Sequence, residues 1–218
     1  MQTKQITVLA MLSAVACVVM LLIRINFMPA APFLIYDPKD IIIVIGGFLY
    51  GPFAVVLMSL IVSLVEMVTV SGDGWVGFAM NVISSCAFAC PAAIIYRKNR
   101  TLKGAVIGLV AGWLFVTAVM ILWNFIVTPP YRGIPRQAIV PLLFTVFMPF
   151  NLIKYGIGAA TAMLVYKPLS TTLKRMNIIE KSENQAPVKG SIIASIILAI
   201  CLAAIPGILL VLVMQGYI

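Results

Sequence analysis

Leu34-Ile35-Tyr36-Asp37-Pro38-Lys39-Asp40 runs into the apolar segment Ile41–Ile45 and then into Gly46-Gly47-Phe48-Leu49-Tyr50-Gly51-Pro52. Beyond the Gly51-Pro52 pair a second apolar run passes through Ser59 and Ser63 and stops at Glu66. Neither run has the alternating polar face that keeps a soluble helix in water. The stretch reads as an acidic loop, a short apolar helix ending in glycines, a tight turn, and a longer apolar helix ending in a carboxylate. It predicts an all-α membrane protein.

Composition agrees. Of 218 residues 63% are hydrophobic and 10% charged, against roughly 25% charged in ordinary soluble domains. The 15 lysines and arginines against 6 acidic residues are read as cytoplasmic loops of a polytopic protein and exclude a nucleic-acid partner. Histidine is absent, which removes the commonest general base and metal ligand. The cysteines Cys17, Cys86, Cys90 and Cys201 sit inside apolar runs and read as core or lipid-facing residues. No Gly-x4-Gly-Lys-Ser/Thr phosphate loop occurs, so ATP is not bound in that way. With neither paired intramembrane aspartates nor a serine-base arrangement, an enzyme is not expected.

Apolar runs occur at about 6–23, 41–50, 53–70, 77–96, 105–126, 142–166 and 191–214. A crossing takes about 20 residues, so the second run must be shielded by protein. The first is too long for a signal-peptide core and reads as a retained span. Seven crossings with the N-terminus cytoplasmic place ten cationic residues inside, in the groups 4, 97–103 and 167–189, and only Arg24, Lys39, Arg132 and Arg136 outside. The C-terminus is then extracellular. The outer loops carry Pro29, Pro32 and Pro38, and Pro129, Pro130 and Pro135, which stiffen them. From 177 to 190 the composition turns polar and reads as a cytoplasmic linker.

In this frame Glu66, Asn81, Asn124, Asn151 and Lys154 all fall within roughly 15 Å of the outer surface, at about 1.5 Å rise per residue. Polar groups inside spans are expensive, and their gathering in one leaflet predicts a pocket open to the outside. Glu66 and Lys154 can neutralise each other or serve a ligand. Asn151 is one turn from Lys154 and shares its face. Phe33, Tyr36, Trp75 and Trp123 either stack on a flat ligand or form an interfacial belt. Gly46 and Gly47 let a backbone come close to a ligand or to a neighbouring helix. These groups suit a planar heterocycle, and by themselves leave biotin, folate-like, purine-like and flavin ligands open.

Tyr36-Asp37-Pro38-Lys39-Asp40, Ile45 to Pro52, and Pro149-Phe150-Asn151-Leu152-Ile153-Lys154, in that order, resemble the riboflavin-binding S components of energy-coupling factor (ECF) vitamin transporters. The resemblance covers about the first three quarters of the chain. It implies a six-helix S-component bundle over residues 1–176, with 191–214 as one additional C-terminal transmembrane helix. It implies riboflavin as transported cargo and no cofactor, with Tyr36, Asp37, Gly46, Gly47, Glu66, Asn151 and Lys154 at the site. Trp75, Asn81 and Asn124 join them by location. It further implies a transmembrane coupling subunit and two ATPase subunits as partners, with Ala10 and Ala14 on the docking face of the first helix; by spacing alone, Gly156 and Ala160 offer a second small-residue face. An S component for another vitamin, or a stand-alone ion-coupled carrier, is the alternative.

Overall fold

A computed structural model describes residues 3–28, 31–175 and 190–215; apart from Gly190, the expected linker lies outside them. The helices are α1 (Thr3–Leu22), α2 (Lys39–Tyr50), α3 (Pro52–Thr69), α4 (Gly74–Lys98), α5 (Leu102–Ile126), α6 (Thr128–Arg132), α7 (Arg136–Leu142), α8 (Met148–Arg175) and α9 (Gly190–Met214). Among the described residues, extended pairing is limited to one isolated bridge, Ile25 to Tyr36. Five helical stretches among the described residues are long and apolar enough to cross a membrane: α1, α3, α4, α5 and the continuous run Arg136–Val165. The described apolar part of α9, Ala199–Met214, is shorter.

The short second run is α2, 12 residues long. Ile43, Val44 and Ile45 are fully enclosed, and the helix packs against α1, α3, α4 and α8. Asp40 in its first turn complements the helix dipole. At its end Gly51 adopts φ +90°, a conformation glycine takes without strain, and Pro52 starts α3. The two helices are thereby folded back on each other through a single residue.

The other helices are brought together by small residues. Gly104, Gly108 and Gly112 line one face of α5, and a Cβ on Gly108 would lie 2.8 Å from the Ala92 carbonyl of α4; such stripes allow backbones to touch. Thr101 caps α5 by accepting the Gly104 amide at 3.1 Å. Trp113 Nε1 donates to the Leu152 carbonyl at 3.0 Å, joining α5 to α8. Between α7 and α8 the chain stays helical but passes through a π-helical stretch, Leu143–Phe147. Pro141, which cannot donate to the preceding turn, lies just before it.

Two apolar clusters result. The larger fills the bundle with Leu9, Ile43, Val55, Met58, Phe88 and Leu109 among others, and takes in Ala199 and Leu202 of α9. The smaller contains Met28, Ala31 and Leu34 from the segment between α1 and α2, together with Phe147, Phe150 and Ile153. Val213 of α9 belongs to it, and Leu209 and Leu210 pack on it. Between these contacts Pro206 sits over Gly156, where a Cβ would meet Pro206 Cγ at 2.8 Å and Trp113 Cζ2 at 2.9 Å. The small-residue face at Gly156 is thus where α9 comes close to α8. Ala10 and Ala14 are exposed on α1, beside Met11 and Val15.

Candidate functional site

Segments 33–37, 70–73 and 124–132 meet at one end of the bundle around a cavity of about 340 Å³. That size lies in the range of about 300–1,000 Å³ common for small-molecule sites. Phe33, Leu34, Met80, Met120 and Phe150 give it apolar walls. Asp37, Glu66, Asn81, Asn124, Asn151 and Lys154 reach it from five different elements.

The charges on its floor are organised by the start of α2. Lys39 is 1% exposed and donates to Glu66 of α3 across 27 residues of sequence. Its ammonium also lies 3.5 Å from Asp37. Lys154 of α8 donates to Asp37 at 3.1 Å and stands 4.0 Å from Asp40. Asp40 accepts from Ser85 of α4. Three carboxylates therefore share two ammoniums, all five buried. Burial by itself raises the Asp37 carboxyl, but the charges of Lys154 and Lys39 and their hydrogen bonds outweigh it and hold the group down at about 2. The pairing differs from the simplest expectation, in which Glu66 and Lys154 neutralise each other.

The amides are held by their own helices. Asn151 Nδ2 donates to the Phe147 carbonyl at 2.7 Å, and Asn124 Nδ2 donates to the Met120 carbonyl at 2.7 Å while its Oδ1 accepts from Thr128 at 2.9 Å. Asn151 and Asn124 both line the cavity. Arg24 also lines the cavity, with Nη1 buried and unpartnered. At the rim Arg132 pairs with Asp73 at 2.8 Å and lies 4.3 Å from the centre of the Phe33 ring. Tyr131 donates to the Asp73 carbonyl at 3.2 Å. Helix α6 is joined to two loops by these contacts.

Other residues expected at the site lie apart from the cavity wall. Gly46 and Gly47 face Met58 and Val55, where a Cβ would collide with either side chain, so their closeness serves helix packing. Tyr36 makes the backbone bridge to Ile25, and its ring centre is 6.4 Å from that of Phe27. Trp75 is 72% exposed and stands edge-on to Phe78. Trp123 packs on the larger cluster. Lys39, Asp40, Arg24 and Arg132 were the participants that residue-by-residue reading leaves out. For Lys39 a signal existed: three carboxylates near one buried lysine call for a second cation.

Comparison with known proteins gives one consistent family. The model for "ECF transporter, substrate-specific component" matches residues 4–170. The chain is 28% identical over 182 residues to riboflavin transporter RibU of Staphylococcus aureus (strain TCH60), covering 80% of this chain and 95% of that one. It is 28% identical over 186 residues to riboflavin transporter FmnP of Bacillus subtilis (strain 168), covering 80% and 96%. A solved structure described as the S component of a bacterial ECF transporter superposes with TM-score 0.69 at 29% identity, covering 80% of this chain and all of that one. Helices, cavity and these likenesses agree that the chain is a multi-pass membrane protein, a transport component and not an enzyme, and that it belongs to the family of substrate-specific components of ECF transporters.

Proposed function

We propose that this chain captures riboflavin with high affinity at the extracellular side and delivers it inward as part of an ATP-driven ECF transporter. The observation that carries the reading is the cavity itself: apolar walls from Phe33, Leu34 and Phe150 face Asn81, Asn124, Asn151 and Lys154. A flavin's dimethylbenzene end matches the walls, and its imide edge and ribityl hydroxyls match the amides, the ammonium and the carboxylates. Two relatives described as riboflavin transporters, each matched over at least 95% of its length, support the choice among vitamins. The flavin is cargo here rather than cofactor.

In this reading α1 to α5 and the run from α7 through α8 form a six-helix substrate-binding domain over 1–176. Residues 177–190 link it on the cytoplasmic side to α9, an additional transmembrane helix at 191–214. The N-terminus is cytoplasmic, the C-terminus and the cavity mouth extracellular, and the protein resides in the cell membrane. Energy comes from two ATPase subunits through a transmembrane coupling subunit. That subunit docks on α1, where Ala10 and Ala14 leave an exposed small-residue face.

The test is titration of purified protein with riboflavin, biotin, folate and a purine nucleoside, read by flavin fluorescence and by calorimetry. Saturable binding of riboflavin alone, in one-to-one ratio, is expected. Preference for another of these ligands, or no binding at all, would overturn the assignment.

A further inference from the structure

Helix α9 lies beyond the family match, which ends at residue 170, yet it is built into the cavity wall at one remove. Its two halves join different clusters. Ala199 and Leu202 enter the larger one, in the middle of the bundle. Leu209, Leu210 and Val213 enter the smaller one, whose other members include Leu34 and Phe150. Both of these line the cavity, as does Phe33, which packs on the same cluster. Pro206 over Gly156 separates the halves and fixes the height of α9 against α8.

The wall that this cluster backs is otherwise held by the Asp37 ion pairs, by Arg132 over Phe33, and by few backbone bonds. The described part of the segment between α1 and α2 is fastened by single hydrogen bonds: the Ala31 amide to Met28, the Leu34 amide to Ala31, and the reciprocal pair between Ile25 and Tyr36. The Asn26 side chain adds two, donating to the Pro32 carbonyl at 2.7 Å and accepting the Met28 amide at 3.0 Å. A wall of this kind keeps its shape through apolar backing, and loss of buried methyl groups behind it leaves a gap that the loop can move into.

We propose that the last two turns of α9 are a positioning device for the substrate cavity. Val213, with Leu209 and Leu210, holds the segment 31–36 and Phe150 in the shape that retains cargo. The proposal rests on reading the cavity as the flavin site. Residence of the cargo then depends on a helix outside the part of the chain that the family model matches. The other half of α9 serves bundle stability alone, so substitutions at the two ends of one helix have different consequences.

The experiment compares Val213→Ala and Leu202→Ala in the full-length protein in detergent. Two rates are measured: hydrogen exchange of the Leu34 and Tyr36 amides without ligand, and dissociation of riboflavin after dilution into competitor. Val213→Ala is expected to speed both by about fivefold. Leu202→Ala is expected to lower the melting temperature while leaving both rates within about twofold of the original. Val213→Ile, which keeps the buried methyl groups and adds one methylene, is expected to speed neither rate. Leu210→Ala, at a half-buried position, gives a milder version of the same contrast. Unchanged exchange in Val213→Ala, or equal acceleration in Leu202→Ala, overturns the proposal. Should the original protein fail to bind riboflavin, the proposed function falls while the exchange comparison still decides the role of Val213.

Discussion

The two ends of α2 share one helix but are stabilised in opposite ways. At its start Lys39 and Asp40 are buried among Asp37, Glu66 and Lys154, every one of them ionisable. Toward its finish Gly46, Gly47 and Phe48 bring no polar side chain, and the glycines are filled by Met58 and Val55, with half-buried Leu49 and Tyr50 following. Close packing suffices where two helices only need to touch. Charges cost several kcal/mol to bury, and here they gather where a cavity opens beside them. The contrast explains how a helix of 12 residues persists in a protein whose other long helices can span a bilayer: protein surrounds it on four sides.

Substitutions that act on one end of α2 sharpen this difference. Lys39→Ala removes the ammonium from Glu66 and one of two from Asp37, leaving buried carboxylates uncompensated. A loss of about 3–5 kcal/mol is expected, read as a lower melting temperature in detergent together with loss of flavin binding. A change below about 1 kcal/mol would mean that the cluster is reached by water and behaves as a surface pair. At the opposite end Gly47→Leu forces a side chain against Val55 and Ala93. Overpacking of this sort costs about 1–3 kcal/mol, and flavin affinity should hold because the residue is away from the cavity. A parallel fall in affinity would show that the two ends are mechanically one. The smallest effect is expected for Trp75→Ala, at an exposed position: stability within about 0.5 kcal/mol and unchanged affinity. A loss of about tenfold in affinity would bring that ring back over the ligand.

Much of this contrast can be read from residue order. The shortness of the 41–50 run and its terminal glycines already require shielding by protein. The depth of Glu66, Asn81, Asn124, Asn151 and Lys154 brings them to one end of the bundle, and all five line the cavity. Lys39 is harder, because a lysine next to a proline in a cation-rich chain reads as a loop charge; only the balance of carboxylates against ammoniums reveals its burial. Trp75 is ambiguous by nature, since an aromatic ring near a helix end suits a cavity and a lipid interface equally. The stripe Gly104, Gly108 and Gly112 is visible in the spacing, although which helix it meets is not. The packing of α9 is the least legible, for a helix apolar on every side has no face that points to its neighbour.

The π-helical stretch Leu143–Phe147 changes how the run from Arg136 to Val165 must be counted. A helical wheel drawn straight through it assigns wrong neighbours to everything downstream, because the wide turn holds one residue more than an ordinary one. Winding the same residues as an ordinary α turn would rotate Asn151 and Lys154 together by about 100°, swinging an amide and an ammonium away from the cavity with composition and hydropathy untouched. The register of the cavity's polar wall is therefore set by an irregular turn upstream of it.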